Sequence, residues 1–135
     1  MTTRIRYTIY KANIQDGVVT GTFGCNVDGF QLTEHFAAHR ERPRGYILTH
    51  LPSGCSVRWG VYFKSLKAAG HMANFLEAAA TKRFWQTVGP YNKQKTLPKH
   101  VQPIIDYLVK YSPSNPRVFS FAETEEMMMC RIIIT

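Results

Sequence analysis

Acidic residues are scarce in this chain. Nine Asp and Glu stand against 17 Lys and Arg, for a formal net charge of +8 and a pI near 9.6. That balance disfavours basic partners and favours polyanions or acidic protein surfaces. Long apolar runs are also missing. The longest, within Arg131 to Thr135, is only as long as a strand, so no membrane partner is expected. Nothing apolar follows Met1-Thr2-Thr3-Arg4, and a secretory leader is not expected. Cysteine is sparse and odd in number: Cys25, Cys55 and Cys130 lie far apart. That usage fits reduced thiols and a cytoplasmic location, not a disulfide framework. No Gly-rich phosphate loop, nucleophile elbow or paired-carboxylate pattern is present, and no cofactor is expected. Solenoid repeats and low-complexity segments are absent as well.

What is present is enough for one globular domain over residues 1–135. Hydrophobic residues make up 44% of the chain, which argues against disorder. Arg4 to Val27 reads as a β-hairpin. Ile5, Tyr7 and Ile9 share one face, Asp16-Gly17 makes the turn, and Asp28-Gly29 ends the second strand. Thr33 can cap a short helix from Glu34 to Arg42, closed by Pro43. A second hairpin runs from Tyr46 to Phe63 around Pro52-Ser53-Gly54, with Cys55, Val57, Trp59, Val61 and Phe63 on one face. Ser65 then caps the longest helix, Leu66 to about Trp85, whose stripe is Ala69, Met72, Ala73, Leu76, Ala79 and Ala80.

Val101, Ile104, Ile105, Leu108 and Val109 mark another helix beginning near Pro103. Val118 to Phe121 and Cys130 to Ile134 read as the last strands. The order ββ-α-ββ-α-α-ββ predicts an α+β fold, with an antiparallel sheet of about five or six strands and helices packed on one face.

Cations interleaved with rings carry the leading functional signal. Lys82, Arg83, Phe84 and Trp85 are followed by Tyr91, Lys93, Lys95 and Lys99, with no acid between Glu77 and Asp106. Cations neutralise phosphates, and aromatic rings stack on unpaired bases. The alternative is a solvated helix end with Phe84 and Trp85 tucked into the core. Arg40, Arg42 and Arg44 form a second cluster, suited to forked contacts with phosphate or carboxylate. Arg4, Arg6 and Arg58 add charge to polar strand faces, where Tyr10 and Tyr62 would be stacking rings.

His35 and His39, four apart on the expected short helix, are a weak candidate metal pair. Met127 to Ile134 is apolar on both faces. It fits a central strand or, failing that, a homodimer edge.

The expected function is therefore a non-enzymatic binding module whose basic surface engages nucleic acid or a nucleoprotein complex. Two other classes stay open. One is a protein-directed inhibitor or accessory factor of the phage or plasmid anti-defence type, docking on an acidic protein surface. The other is a small metal-independent ribonuclease built on His50, His71, Arg58 and Lys64.

Overall fold

A computed structural model describes residues 2–57, 61–87 and 117–124. The chain is α+β, as its pattern predicts. The strands are β1 (Thr3–Gln15), β2 (Val18–Gln31), β3 (Phe36–Glu41), β4 (Gly45–His50), β5 (Cys55–Ser56), β6 (Val61–Phe63) and β7 (Arg117–Phe119). They form one sheet in the order β1-β2-β3-β4-β6-β7, with β5 also paired to β4. Among the described residues every pairing is antiparallel except β6 with β7. Among the described residues the helices are α1 (Leu66–Ala79), α2 (Lys82–Thr87) and a helical turn at 121–124.

The first hairpin follows from its turn. Asp16 and Gly17 both take positive φ, 52° and 78°, as a two-residue hairpin turn of matching twist requires. β2 does not stop at Asp28-Gly29 but runs on to Gln31, where Phe30 and Gln31 pair with Ala38 and Ala37. Gly29 serves a close approach here and not a turn. A Cβ at that position would meet the carbonyl of Ala38 and lie 2.8 Å from the Tyr7 hydroxyl.

The short helix expected over 34–42 is instead strand β3. Phe36, Ala37, Ala38 and His39 are all buried. In the β3–β4 ladder Phe36 lies opposite His50, Ala38 opposite Leu48 and Arg40 opposite Tyr46; Ala37 faces Thr49 and His39 faces Ile47. Directly opposed residues share a face of the sheet. The first set, as far as Ala38 and Leu48, packs with Met72, Ala73 and Leu76 of α1 in the core cluster. The second set is roofed by β1, whose Tyr7 hydroxyl lies 3.4 Å from His39 Nδ1. A strand covered on both sides loses the polar alternation that identifies strands, and its Ala-rich run then resembles helix. β1 also closes onto the next turn, its Tyr10 N–H donating to the Gly54 carbonyl at 2.9 Å. Gly54 takes φ +70°, the positive value its turn calls for.

The helical stretch is broken, not continuous to Trp85. Ser65 caps α1 as expected, accepting the Ala68 N–H at 3.1 Å. Ala80 leaves the helix in an extended conformation. Thr81 Oγ1 then accepts the Phe84 N–H at 3.2 Å and starts α2. That break turns Trp85 inward. Its ring packs edge-on against Phe36, with centroids 5.0 Å apart.

The parallel β6–β7 pairing brings residues 117–124 to the sheet. Among the described residues no helix is long and apolar enough to cross a membrane. The helix expected around Val101–Val109, Trp59 and the strand at Cys130–Ile134 lie outside the described residues.

Candidate functional site

Arg40 near the end of β3 is followed by Arg42 and Arg44 in the turn to β4, and the fold places Lys64 beside them. Gly45 makes this approach possible. It sits at φ +136°, and a Cβ there would be 2.5 Å from the carbonyl oxygen of Phe63. β4 therefore begins pressed against the end of β6, and the following residue, Lys64, lies alongside. The Lys64 N–H donates to the Phe119 carbonyl at 2.7 Å, which ties it to β7. Arg44 is held from below: its Nη1 donates to the Tyr62 hydroxyl at 3.3 Å. Its guanidinium also lies 5.6 Å from the Tyr62 ring centroid. A guanidinium fixed by a ring and a hydroxyl is preorganised for a bidentate partner.

The far wall comes from the segment after β7. Ser120 and Glu123 cap one helical turn reciprocally. Ser120 N donates to Glu123 Oε1, and Glu123 N to Ser120 Oγ, both at 3.2 Å. Phe121 pins this turn to α1, beneath Lys67 at 4.5 Å and against His71 at 4.7 Å. Between the two walls lies a cavity of about 460 Å³, lined by Arg40, Arg44, Lys64, Ser120 and Glu123, with Pro43 and Val118 as its apolar part. Among the described residues three cations line it against one carboxylate. Among the described residues no carboxylate is ion-paired with Arg40, Arg42, Arg44 or Lys64.

The other basic cluster is elsewhere. Lys82 Nζ lies 3.3 Å from Glu34 Oε1, at the start of β3. Arg40 is near the end of that strand, so the two clusters are separated by about 20 Å at roughly 3.3 Å per residue. Arg83 is exposed on α2. Trp85 requires a correction. It is fully buried, at 0% exposure, and offers no face to a base. Tyr62 is likewise buried beneath Arg44, whereas Tyr10 is 52% exposed on the β1–β2 ribbon. Arg6 stands 3.9 Å from Asp28, and Arg4 lies over Phe30. Arg58, Tyr91, Lys93, Lys95 and Lys99 lie outside the described residues.

The histidines are engaged in packing. His35 donates from its backbone N–H to Glu77 Oε1, and its Nδ1 lies 2.8 Å from Glu77 Oε2. Burial pushes the Glu77 carboxyl up, but the hydrogen bonds from His35 outweigh it and hold the group below its ordinary range. His39 sits beside Tyr7, whose phenol burial pushes far up. His50 Nε2 donates to the Trp85 carbonyl, and its Nδ1 accepts from Ser53 Oγ. Burial lowers the His50 pKa.

His35 and His39 thus have separate partners. Among the described residues no group of three or more His, Cys, Asp or Glu is placed to hold a metal ion. His50 is 1% exposed and packs against Phe36 and Trp85, whereas His71 packs against Phe121.

Sequence reading found the arginine turn but missed the cavity, because Ser120 and Glu123 reach it through a parallel pairing. The Ser120-x-x-Glu123 capping pattern was the available signal for that wall. Comparison with known proteins finds no matching family model, no matching curated protein and no matching solved structure.

Proposed function

We propose that this protein is a non-enzymatic, cytoplasmic binding module that engages nucleic acid through the arginine turn of β3 and β4 together with Lys64. The observation that carries this reading is the convergence of Arg40, Arg44 and Lys64 on one cavity, with no carboxylate ion-paired to any of them among the described residues. Arg42 extends the same charged edge. Lys82 and Arg83, on α2 beyond the far end of β3, widen the electrostatic footprint without sharing the contact. Trp85 plays no part in it.

The reading predicts binding that weakens steeply with salt. Three phosphate contacts give a slope near −2 in log affinity against log salt, at about −0.7 per contact for single strands. Anisotropy titrations of labelled single- and double-stranded oligonucleotides between about 50 and 200 mM salt measure it. Arg40→Gln with Arg44→Gln is expected to weaken binding and flatten the slope. Absence of binding at the lower salt, or binding that ignores both substitutions, overturns the reading.

A further inference from the structure

The cavity beside the arginine turn is a half-open hollow whose charge exceeds what a strand interior would bring. Among the described residues its lining carries three cations and one carboxylate, a net of +2. An internal phosphodiester brings a single negative charge. A terminal phosphate is close to a dianion at neutral pH, since its second pKa is about 6. The cavity is also divided in character. Arg40, Arg44 and Lys64 supply charge, while Pro43 and Val118 supply an apolar wall. Ser120 adds a hydroxyl whose oxygen accepts from the Glu123 N–H, leaving its hydrogen able to donate. At about 460 Å³ the space is several times that of a phosphate group alone. It has room for the sugar or base attached to one.

We propose that this cavity is a phosphomonoester site: it takes the terminal phosphate of a nucleic-acid strand, with the end nucleotide lying against Pro43 and Val118. The phosphate oxygens receive the Arg44 fork, the Arg40 guanidinium, the Lys64 ammonium and the Ser120 hydroxyl. Arg44 is already oriented by Tyr62, so little side-chain freedom is lost when the phosphate arrives. The proposal rests on the reading of the arginine turn as the nucleic-acid contact and adds that strand ends are preferred to strand interiors.

Three internally labelled oligonucleotides of one sequence test it, bearing a 5′-phosphate, a 3′-phosphate or hydroxyls at both ends. At least one phosphorylated end is expected to bind about tenfold tighter than the hydroxyl form, the effect of one or two added charge-assisted hydrogen bonds. Lys64→Gln, at an exposed position, is expected to erase that preference. Arg42→Gln, outside the cavity lining, is expected to weaken all three alike. Equal affinity for the three strands overturns the phosphomonoester site and leaves the nucleic-acid reading standing.

Calorimetry with adenosine monophosphate separates the remaining cases. Binding that Lys64→Gln abolishes, with every oligonucleotide silent, overturns the nucleic-acid reading and the strand end as occupant, and assigns the cavity to a free mononucleotide phosphate instead. Silence of both probes overturns the two together. Circular dichroism of each variant confirms that its fold is intact.

Discussion

Replacing Glu77 on α1 isolates the contact that locks the helix to the start of β3. Its two carboxylate oxygens take the His35 backbone N–H and ring Nδ1, each at 2.8 Å. His35 is 3% exposed, so neither group has ready access to water if its acceptor is removed. A hydrogen bond to a charged group contributes about 1.5–3 kcal/mol. The Glu77 side chain is 22% exposed, which favours the lower end for both bonds. Glu77→Ala is therefore expected to cost about 3 kcal/mol. Glu77→Gln keeps an acceptor for the backbone N–H, and its amide can donate to Nδ1 of the other neutral His35 tautomer. It is expected to cost only about 1 kcal/mol.

Acid separates the variants further. The Glu77 carboxyl is held below its ordinary 4.5 by the His35 hydrogen bonds, against the upward push of burial. Its contribution is therefore complete above that ordinary value and disappears as pH falls through the native one. Urea unfolding followed by far-UV circular dichroism, repeated from neutral pH down to about pH 3, reads both effects. The parent is expected to lose more stability across the acid range than Glu77→Gln. A Glu77→Ala variant within about 1 kcal/mol of the parent, or a Glu77→Gln variant with the parent's full acid loss, refutes the reasoning.

Other substitutions probe separate parts of the molecule. Gly45→Ala forces a side chain onto φ +136° and 2.5 Å from the Phe63 oxygen. A loss of about 3 kcal/mol or more is expected, and a urea midpoint shift measures it. Trp85→Ala opens a cavity under Phe36 and His50. It is expected to cost about 3–5 kcal/mol in denaturant, with oligonucleotide affinity unchanged where the protein remains folded. An affinity loss without a stability loss contradicts the buried position. Ser65→Ala removes the N-cap of α1 and is expected to cost about 1 kcal/mol by thermal unfolding. Lys82→Ala breaks only the exposed pair with Glu34 and is expected to change stability by under about 1 kcal/mol.

The elements that could be read from sequence were those with local signals. Alternation and Asp16-Gly17 identified the first hairpin, and Ser65 with its apolar stripe identified α1. Strand β3 misread as helix because tertiary cover on both faces replaced the polar half of its pattern with Ala37, His39 and neighbours. The break at Ala80 was invisible because Ala and Thr carry no strong stop signal. What it achieves, the packing of Trp85 against Phe36, involves a residue far away in sequence. The arginine turn was legible as charge. Its partner wall was not, because Lys64, Val118 and Ser120 meet only through a strand pairing that no nearby residue specifies.

That pairing has a consequence for the order in which the molecule is completed. Val61 must wait for Arg117 before β6 gains its outer neighbour. The antiparallel ladders from β1 to β6 need only contacts within the stretch already synthesised, whereas this closure spans nearly half the polypeptide and is correspondingly slow. A nascent or clipped chain lacking Val118 and Ser120 would show its arginines before it owned a receptacle for them. Under the proposed function, such a species would hold polyanions by charge alone, and preference for a strand end would be the last property acquired during biogenesis.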